Sequence, residues 1–137
     1  MLFRSKSTSY GENVVALMRA HAADASEALL GTVDGLLCEG TGTNVFAVVD
    51  GTVVTPTLAT GCLPGITRAL VLEWSAAVER DLTLDELSDA DEVFVTSSTR
   101  DVHPVTRLDG RHWASAGPMS AAIRAEFAAR AAESLDP

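Results

Sequence analysis

The sequence predicts a mixed α+β fold, with an antiparallel-rich sheet flanked by helices, and two observations carry this prediction. Asp-Gly pairs lie between short apolar segments, and this arrangement predicts hairpins because glycine accepts the positive φ of a tight turn. Elsewhere apolar residues recur at every fourth position, which is typical of helices with one buried face. Hairpins and helices therefore alternate along what we interpret as a single domain, residues 1–137.

Three Asp-Gly pairs mark the predicted hairpins, at residues 34–35, 50–51 and 109–110. The segment Glu92–Ser97 is predicted to form a further, buried strand. The predicted strand pairs are Glu27–Val33 with Leu36–Glu39, Asn44–Val49 with Thr52–Thr55, and Asp101–Leu108 with Arg111–Trp113.

Four helices are predicted before, between and after these hairpins. Capping boxes at Ser9/Glu12 and Thr83/Glu86 start two of them, because each side chain can accept the other residue's backbone N–H. The first of these carries Val14, Met18 and Ala22 on one stripe. The other two begin after Pro64-Gly65 and at Pro118, and their apolar stripes are Ile66, Leu70, Trp74, Val78 and Met119, Ile123, Phe127, Ala131.

The charge balance excludes several functions. Nineteen acidic residues face ten basic ones, and the formal net charge of −9 argues against binding to nucleic acid or to an anionic membrane. No apolar run approaches the roughly 20 residues that span a bilayer, and the first residues lack a signal-peptide pattern. We therefore expect a cytoplasmic protein.

The cysteines and histidines give no metal or catalytic pattern. Cys38 and Cys62 are far apart and lack ligand spacing, so we interpret them as buried, reduced thiols. His21, His103 and His112 are scattered. No metal site is predicted.

Lys6 is the only lysine in the sequence, which also contains nine arginines. Its isolation has two readings, a compositional bias or a Schiff-base lysine, since only a primary amine forms that bond. Glu39 closes an apolar strand and is either a strand-end carboxylate in water or a buried group. A buried carboxylate needs a cationic or hydrogen-bonding partner, for example a protonated pyridine nitrogen.

Two loops hold candidate anion-binding groups. Gly61–Thr67 runs into a helix, and the free N–H groups there, with the Thr67 hydroxyl, suit a phosphate. The alternative is a tight strand-to-helix turn. The four hydroxyls of Thr96–Thr99 follow a strand and either bind an oxyanion or cap a loop.

Together these segments resemble the signature of the class IV aminotransferases, the fold-type IV pyridoxal-phosphate (PLP) enzymes. The matching stretches are Glu39–Phe46, Val53–Thr55 and Leu63–Arg68, with further likeness in Lys6–Asn13, Asp91–Thr99 and Val102–Val105. The resemblance implies the family's C-terminal large lobe, whose sheet forms a pseudo-barrel, with the N-terminal small lobe absent and turnover by this chain alone impaired.

The resemblance also implies roles for individual residues. Lys6 would be the catalytic Schiff-base lysine that moves the substrate Cα proton. Glu39 would hold the pyridine nitrogen protonated, and Leu63 would pack on the ring. Gly65, Ile66, Thr67 and Ser98 would bind the cofactor phosphate, and Thr99 would lie near the substrate carboxylate.

Within the family, the sequence most resembles 4-amino-4-deoxychorismate lyases, which release pyruvate and 4-aminobenzoate for folate synthesis. A branched-chain or D-amino-acid transaminase lobe is the alternative. A second alternative is a non-catalytic remnant that serves as a dimerisation or binding module. A small-molecule amino substrate and a homodimer are implied, since the family dimerises.

Overall fold

The computed structural model describes residues 2–3, 18, 21–22, 26–113 and 116–133. The strands are β1 (Leu2–Phe3), β2 (Leu29–Gly31), β3 (Leu37–Gly40), β4 (Asn44–Val49), β5 (Thr52–Thr55), β6 (Val78–Glu79), β7 (Glu92–Ser97), β8 (Asp101–Pro104), β9 (Arg107–Leu108) and β10 (Arg111–His112). The helices are α1 (Ile66–Trp74), α2 (Leu84–Ser88), α3 (Pro118–Glu133) and a short 3₁₀ helix, Leu58–Thr60.

A five-stranded sheet in the order β6-β5-β4-β7-β8 organises the molecule. Its pairings are antiparallel except for the parallel pair β5–β6. A second sheet has the order β1-β2-β3, and β9 and β10 form a separate hairpin. The predicted α+β fold with an antiparallel-rich sheet and flanking helices is thus confirmed.

The central strands β4 and β7 are buried on both faces, which explains their almost continuous apolar sequences. Phe46 and Phe94 are directly opposite each other in the β4–β7 register, and their rings stack with centroids 4.9 Å apart. Apolar side chains from alternate positions form two clusters, so the sheet separates two cores. The second core packs under α1 and α3 through Val71 and Phe127.

The predicted hairpin turns form, with shorter strands around the first of them. Asp50 and Gly51 both have positive φ, 51° and 78°, as a two-residue turn between β4 and β5 requires. The bounds predicted for that hairpin agree with the structure. In the first hairpin, only Leu29–Gly31 of the predicted strand Glu27–Val33 pairs with β3, and its register shifts after Leu30.

The predicted strand Asp101–Leu108 is wrong as a single element. The structure divides it into β8, which pairs back onto β7, and β9, which pairs with β10. Pro104 is the last residue of β8, opposite Phe94, and the Val105 N–H just after it still donates to the Val93 carbonyl at 2.9 Å.

The helix predicted through Val78 ends earlier, at Trp74. Ser75 stops it: its backbone is extended, its hydroxyl donates to the Val71 carbonyl, and it accepts from the Ala77 N–H. Val78 belongs to β6 instead. The buried face of α1 also differs from the expected stripe, because Thr67, Arg68 and Val71 are buried whereas Ile66 is 79% exposed.

The predicted starts of α2 and α3 agree with the structure. Thr83 and Glu86 form the reciprocal capping box at α2, and α3 begins at Pro118. Of the helix predicted after Ser9, the described residues Met18, His21 and Ala22 are helical and exposed. The Ser9/Glu12 box lies outside the described residues. In the part of the chain that the structure describes, no helix is long and apolar enough to cross a membrane.

Candidate cofactor site

A cavity of about 850 Å³ opens where β3 ends, β4 begins and β7 ends. These points meet because β4 and β7 are antiparallel, with Asn44 opposite Thr96. The cavity is lined by seven residues that the sequence predicted for the site: Glu39, Leu63, Gly65, Ile66, Thr67, Ser98 and Thr99. Lys6 lies outside the described residues, so its position relative to the cavity stays a prediction.

Glu39 lies at one side of the cavity and is only 9% exposed. The Leu63 backbone N–H donates to its Oε2 at 2.8 Å. A charge-assisted hydrogen bond of this kind fixes the carboxylate in one orientation. Of the two readings of Glu39, the buried one therefore holds.

The loop that leads into α1 is fixed by Asn44. The Asn44 Nδ2 donates to the Leu63 carbonyl at 2.8 Å, and Gly65 packs so closely that an added Cβ would overlap the Asn44 Oδ1. Glycine is required at residue 65 by this close approach, since its own φ of −63° is ordinary.

Among the residues that the structure describes, no side chain caps the N-terminus of α1. The first N–H groups of a helix have no partner within the helix, and they carry the positive end of its dipole. The α-helices α2 and α3 have such acceptors: Thr83 caps α2, and Glu92 accepts from the Met119 and Ser120 N–H groups of α3. The uncapped end of α1 opens on the cavity, as a phosphate site requires.

Two buried hydroxyl groups on the cavity wall lack a partner. Thr43 Oγ1 and Thr96 Oγ1 form no hydrogen bond to any described residue, and Thr96 is 1% exposed. Buried polar groups are normally satisfied, so these hydroxyls are suited to bind a polar ligand. With the uncapped helix and the Gly65 approach, they fit a phosphorylated cofactor.

The β7–β8 turn forms the rim beside them. Ser98 and Thr99 are exposed at this rim. The Ser97 and Thr99 hydroxyls lie 3.3 Å apart, and the Arg100 N–H donates to Ser97 Oγ at 3.0 Å. Both interpretations of this hydroxyl cluster therefore apply in part. Ser97 caps the loop, whereas Ser98 and Thr99 face the cavity and can contact a ligand.

Sequence reasoning missed four polar residues of the cavity: Thr41, Thr43, Asn44 and Arg68. The Arg68 guanidinium is buried, donates to the Pro56 carbonyl and pairs with Glu79. Asn44 carried a signal, since an amide opening a buried strand needs a partner. Of the two buried hydroxyls, that of Thr96 belonged to the predicted Thr96–Thr99 cluster, whereas that of Thr43 carried no signal, because threonine is common in exposed strands too.

The cysteines agree with the sequence analysis. Cys38 and Cys62 are buried thiols, and the Cys38 thiol contacts the Thr60 carbonyl at 3.4 Å. Among the residues described, no three His, Cys, Asp or Glu side chains form a group that could hold a metal ion.

The fold thus places a buried carboxylate and the uncapped N-terminus of a helix around one cavity, an arrangement that suits a small phosphorylated cofactor. A family model described as "Amino-transferase class IV" matches residues 2–108, so the chain belongs to that family. Enzymes of the family use pyridoxal phosphate.

Individual relatives agree with this. The chain is 39% identical to a branched-chain-amino-acid aminotransferase of Pseudomonas aeruginosa over 79% of its own length and 37% of the relative's. It is 41% identical to a D-alanine aminotransferase of Bacillus licheniformis over 82% of its length and 41% of the relative's. The chain therefore spans about two fifths of the length of these two relatives.

Solved structures are similar as well. The branched-chain aminotransferase of the archaeon Thermoproteus uzoniensis, solved with norvaline, superimposes with a TM-score of 0.83 at 31% identity. That match covers 87% of this chain and 41% of that one. A second branched-chain amino acid aminotransferase, complexed with N-(5′-phosphopyridoxyl)-L-glutamate, gives a TM-score of 0.82 at 30% identity, over 93% of this chain and 50% of that one.

Proposed function

We propose that this chain is the cofactor-binding lobe of a PLP-dependent aminotransferase. The observation that carries the proposal is the cavity that a buried carboxylate, Glu39, shares with the uncapped N-terminus of α1. A cofactor with a basic ring nitrogen and a phosphate arm needs a carboxylate beside the nitrogen and an anion-binding group beside the phosphate, within one cavity.

Each lining residue has a role in this proposal. The backbone of Gly65 and Ile66, the Thr67 hydroxyl and Ser98 hold the phosphate, and Glu39 holds a proton at the ring nitrogen. Leu63 packs on the ring, and Thr99 faces the substrate carboxylate. Lys6 forms the covalent link to the cofactor and carries the Cα proton. The bound cofactor supplies an electron sink for the charge that develops at that carbon.

The proposed reaction is amino-group transfer from a small amino acid to a 2-oxo acid. The relatives named above are branched-chain and D-alanine aminotransferases, which supports transamination over the lyase reaction that the sequence analysis favoured. The solved relative that is complexed with a phosphopyridoxyl derivative of L-glutamate agrees with an amino substrate at such a site.

The proposed protein is a cytoplasmic homodimer in which a further lobe covers this one. Leu63 and Ile66 are exposed large apolar side chains on the cavity wall. Apolar residues clustered beside a binding site are typical of surfaces that a partner covers. The share of the relatives that this chain matches supports the presence of a second lobe in the working enzyme.

Cofactor binding tests the proposal directly. PLP added to the chain should give visible absorbance, and borohydride reduction followed by peptide mapping should label Lys6. Lys6→Arg keeps the positive charge but has no primary amine, so it should bind PLP reversibly and carry no label. A label on the N-terminal amine alone, or an unlabelled wild type, would refute the role of Lys6.

Glu39→Gln tests the carboxylate. It should weaken PLP binding and change the absorbance of the bound cofactor, since a neutral amide no longer favours the protonated ring nitrogen. Glu92→Gln is the matched control, because Glu92 is also a buried carboxylate that accepts backbone N–H groups but lies away from the cavity. Equal effects of the two variants on PLP binding would argue against the assigned role.

Three assays separate the substrates. Glutamate formation from 2-oxoglutarate is followed with leucine and with D-alanine, and pyruvate release is followed with 4-amino-4-deoxychorismate. Transfer from either amino acid supports the proposal, whereas pyruvate release without transfer would establish the lyase instead. If PLP labels Lys6 and all three assays are negative, the chain binds the cofactor but is not the catalytic unit.

A further inference from the structure

We propose that Glu27 is a positioning residue that clamps together the two turns forming one wall of the cofactor cavity. The inference rests on the proposed function, because it concerns the shape of that same site. Glu27 itself does not line this cavity, so it acts only through the residues it holds.

The first turn lies between β3 and β4. Glu27 Oε1 accepts the Thr41 hydroxyl at 2.8 Å and the Gly42 N–H at 2.6 Å. Thr41 and Gly42 lie on the cavity wall and connect Glu39 with Asn44, the residues that hold the Leu63 loop. One carboxylate oxygen therefore fixes a turn whose two ends both carry cofactor-site contacts.

The second turn lies between β7 and β8. Glu27 Oε2 is 3.5 Å from Arg100 Nη1, and the Arg100 backbone N–H donates to Ser97 Oγ. This turn presents Ser98 and Thr99 to the cavity. It ends in Asp101, whose φ of 54° is unusual for a residue other than glycine, so the turn benefits from an outside support.

The Glu27 side chain is well placed for this work, since it is only 14% exposed. Partial burial strengthens both the hydrogen bonds and the ion pair over their value at an open surface. The same carboxylate contacts both turns, so movement of one turn is transmitted to the other. Loss of this carboxylate would therefore release both turns and widen the cavity between them.

Substitutions at the two ends of the clamp separate its arms. Glu27→Gln keeps an oxygen acceptor for Thr41 and Gly42 but loses the ion pair with Arg100. Glu27→Ala loses both, and Arg100→Gln loses only the ion pair. We expect the PLP dissociation constant to rise about tenfold or more in Glu27→Ala, the loss typical of a hydrogen bond to a charged group, and less in the other two.

Hydrogen exchange of the protein without PLP provides a readout that does not depend on the cofactor. Glu27→Ala should speed exchange at residues 41–43 and 97–100, whereas Arg100→Gln should speed it at 97–100 alone. The double variant Glu27→Gln/Arg100→Gln should bind PLP no more weakly than the weaker of its two parents, because both changes break one ion pair.

Glu86→Gln is the matched control, since Glu86 also accepts a backbone N–H and pairs with an arginine, Arg80, but lies outside the cavity wall. It should lower stability and leave PLP affinity unchanged. Weakened PLP binding by Glu86→Gln equal to that by Glu27→Ala, or unchanged exchange in both turns of Glu27→Ala, would overturn the inference. A wild type that binds no PLP would refute the proposed function, and the exchange data would still decide the clamp.

Discussion

Gly65 illustrates how one residue serves both packing and binding. Its backbone lies against Asn44, which holds the Leu63 carbonyl, and an alanine side chain there would overlap the Asn44 Oδ1. We predict that Gly65→Ala lowers the free energy of unfolding by about 1–3 kcal/mol, the usual cost of overpacking, and weakens PLP binding.

Urea unfolding and PLP titration check this prediction. Gly110→Ala is the control, since an added Cβ at Gly110 meets nothing within 4 Å. If Gly65→Ala is as stable as Gly110→Ala, Asn44 moves aside freely and the close approach has no energetic weight.

His103 makes the stability depend on pH. Partial desolvation of the His103 imidazole, whose side chain is exposed in the structure, together with repulsion from Arg100 and Arg124, lowers its pKa below the usual value. The unfolded chain therefore takes up this proton first as the pH falls through about 6.5, and the folded state loses stability in that range. Above that range the His103 imidazole is neutral in the folded and the unfolded chain, so this loss of stability does not occur.

His103→Gln should remove this part of the pH dependence, measured as urea midpoints at a series of pH values. Arg124→Gln removes one of the two repelling charges and should reduce the slope only in part. The explanation fails if His103→Gln leaves the pH profile below 6.5 as steep as in the wild type.

Among individual residues, those with a motif were predictable from the sequence and those with only a contact were not. Glu39 and Thr67 stand in a recognisable pattern, and both line the cavity. Glu27 has no such pattern, because its role depends on Thr41, Gly42 and Arg100, which are distant in the chain and meet only in the folded sheet.

At the scale of elements, α1 and α2 differ in how their N-termini are capped. The Thr83 hydroxyl accepts the Glu86 N–H and caps α2, whereas Gly65 offers α1 no side chain. We predict that Thr83→Ala costs about 1 kcal/mol of the free energy of unfolding, the typical value of an N-cap, and leaves PLP affinity unchanged.

Thr83→Ser, which retains the hydroxyl, should unfold close to the wild type in urea. A loss of PLP affinity in Thr83→Ala would contradict the view that α2 serves only the fold.

The sequence predicted the elements where local chemistry decides them. The Asp50-Gly51 turn and the Thr83 cap need only neighbouring residues, and both form as predicted. The placement of Val78 in β6 and the division of residues 101–108 into two strands depend on tertiary pairing, of Val78 with Val54 and of β8 with β7. Apolar periodicity along the chain contains no information about those partners.

At the scale of the whole molecule, cofactor binding should stabilise the fold. A ligand that binds only the folded chain adds about 2.7 kcal/mol when present at one hundred times its dissociation constant. We predict a corresponding rise in the urea midpoint with PLP, and a smaller one in Lys6→Ala. Equal midpoints with and without PLP would contradict preferential binding of the cofactor to the folded chain.

The pairing of β4 with β7 has a consequence for the order of folding. The β4–β5 hairpin closes over a two-residue turn, but β4 meets β7 only after α1, β6 and α2 have been brought across. Closing such a long loop is slow, and the cavity needs both strands. We therefore expect the cofactor to bind only after β4 and β7 have paired, late in folding. It should slow unfolding far more than it speeds folding, because its contacts are made after the rate-limiting step.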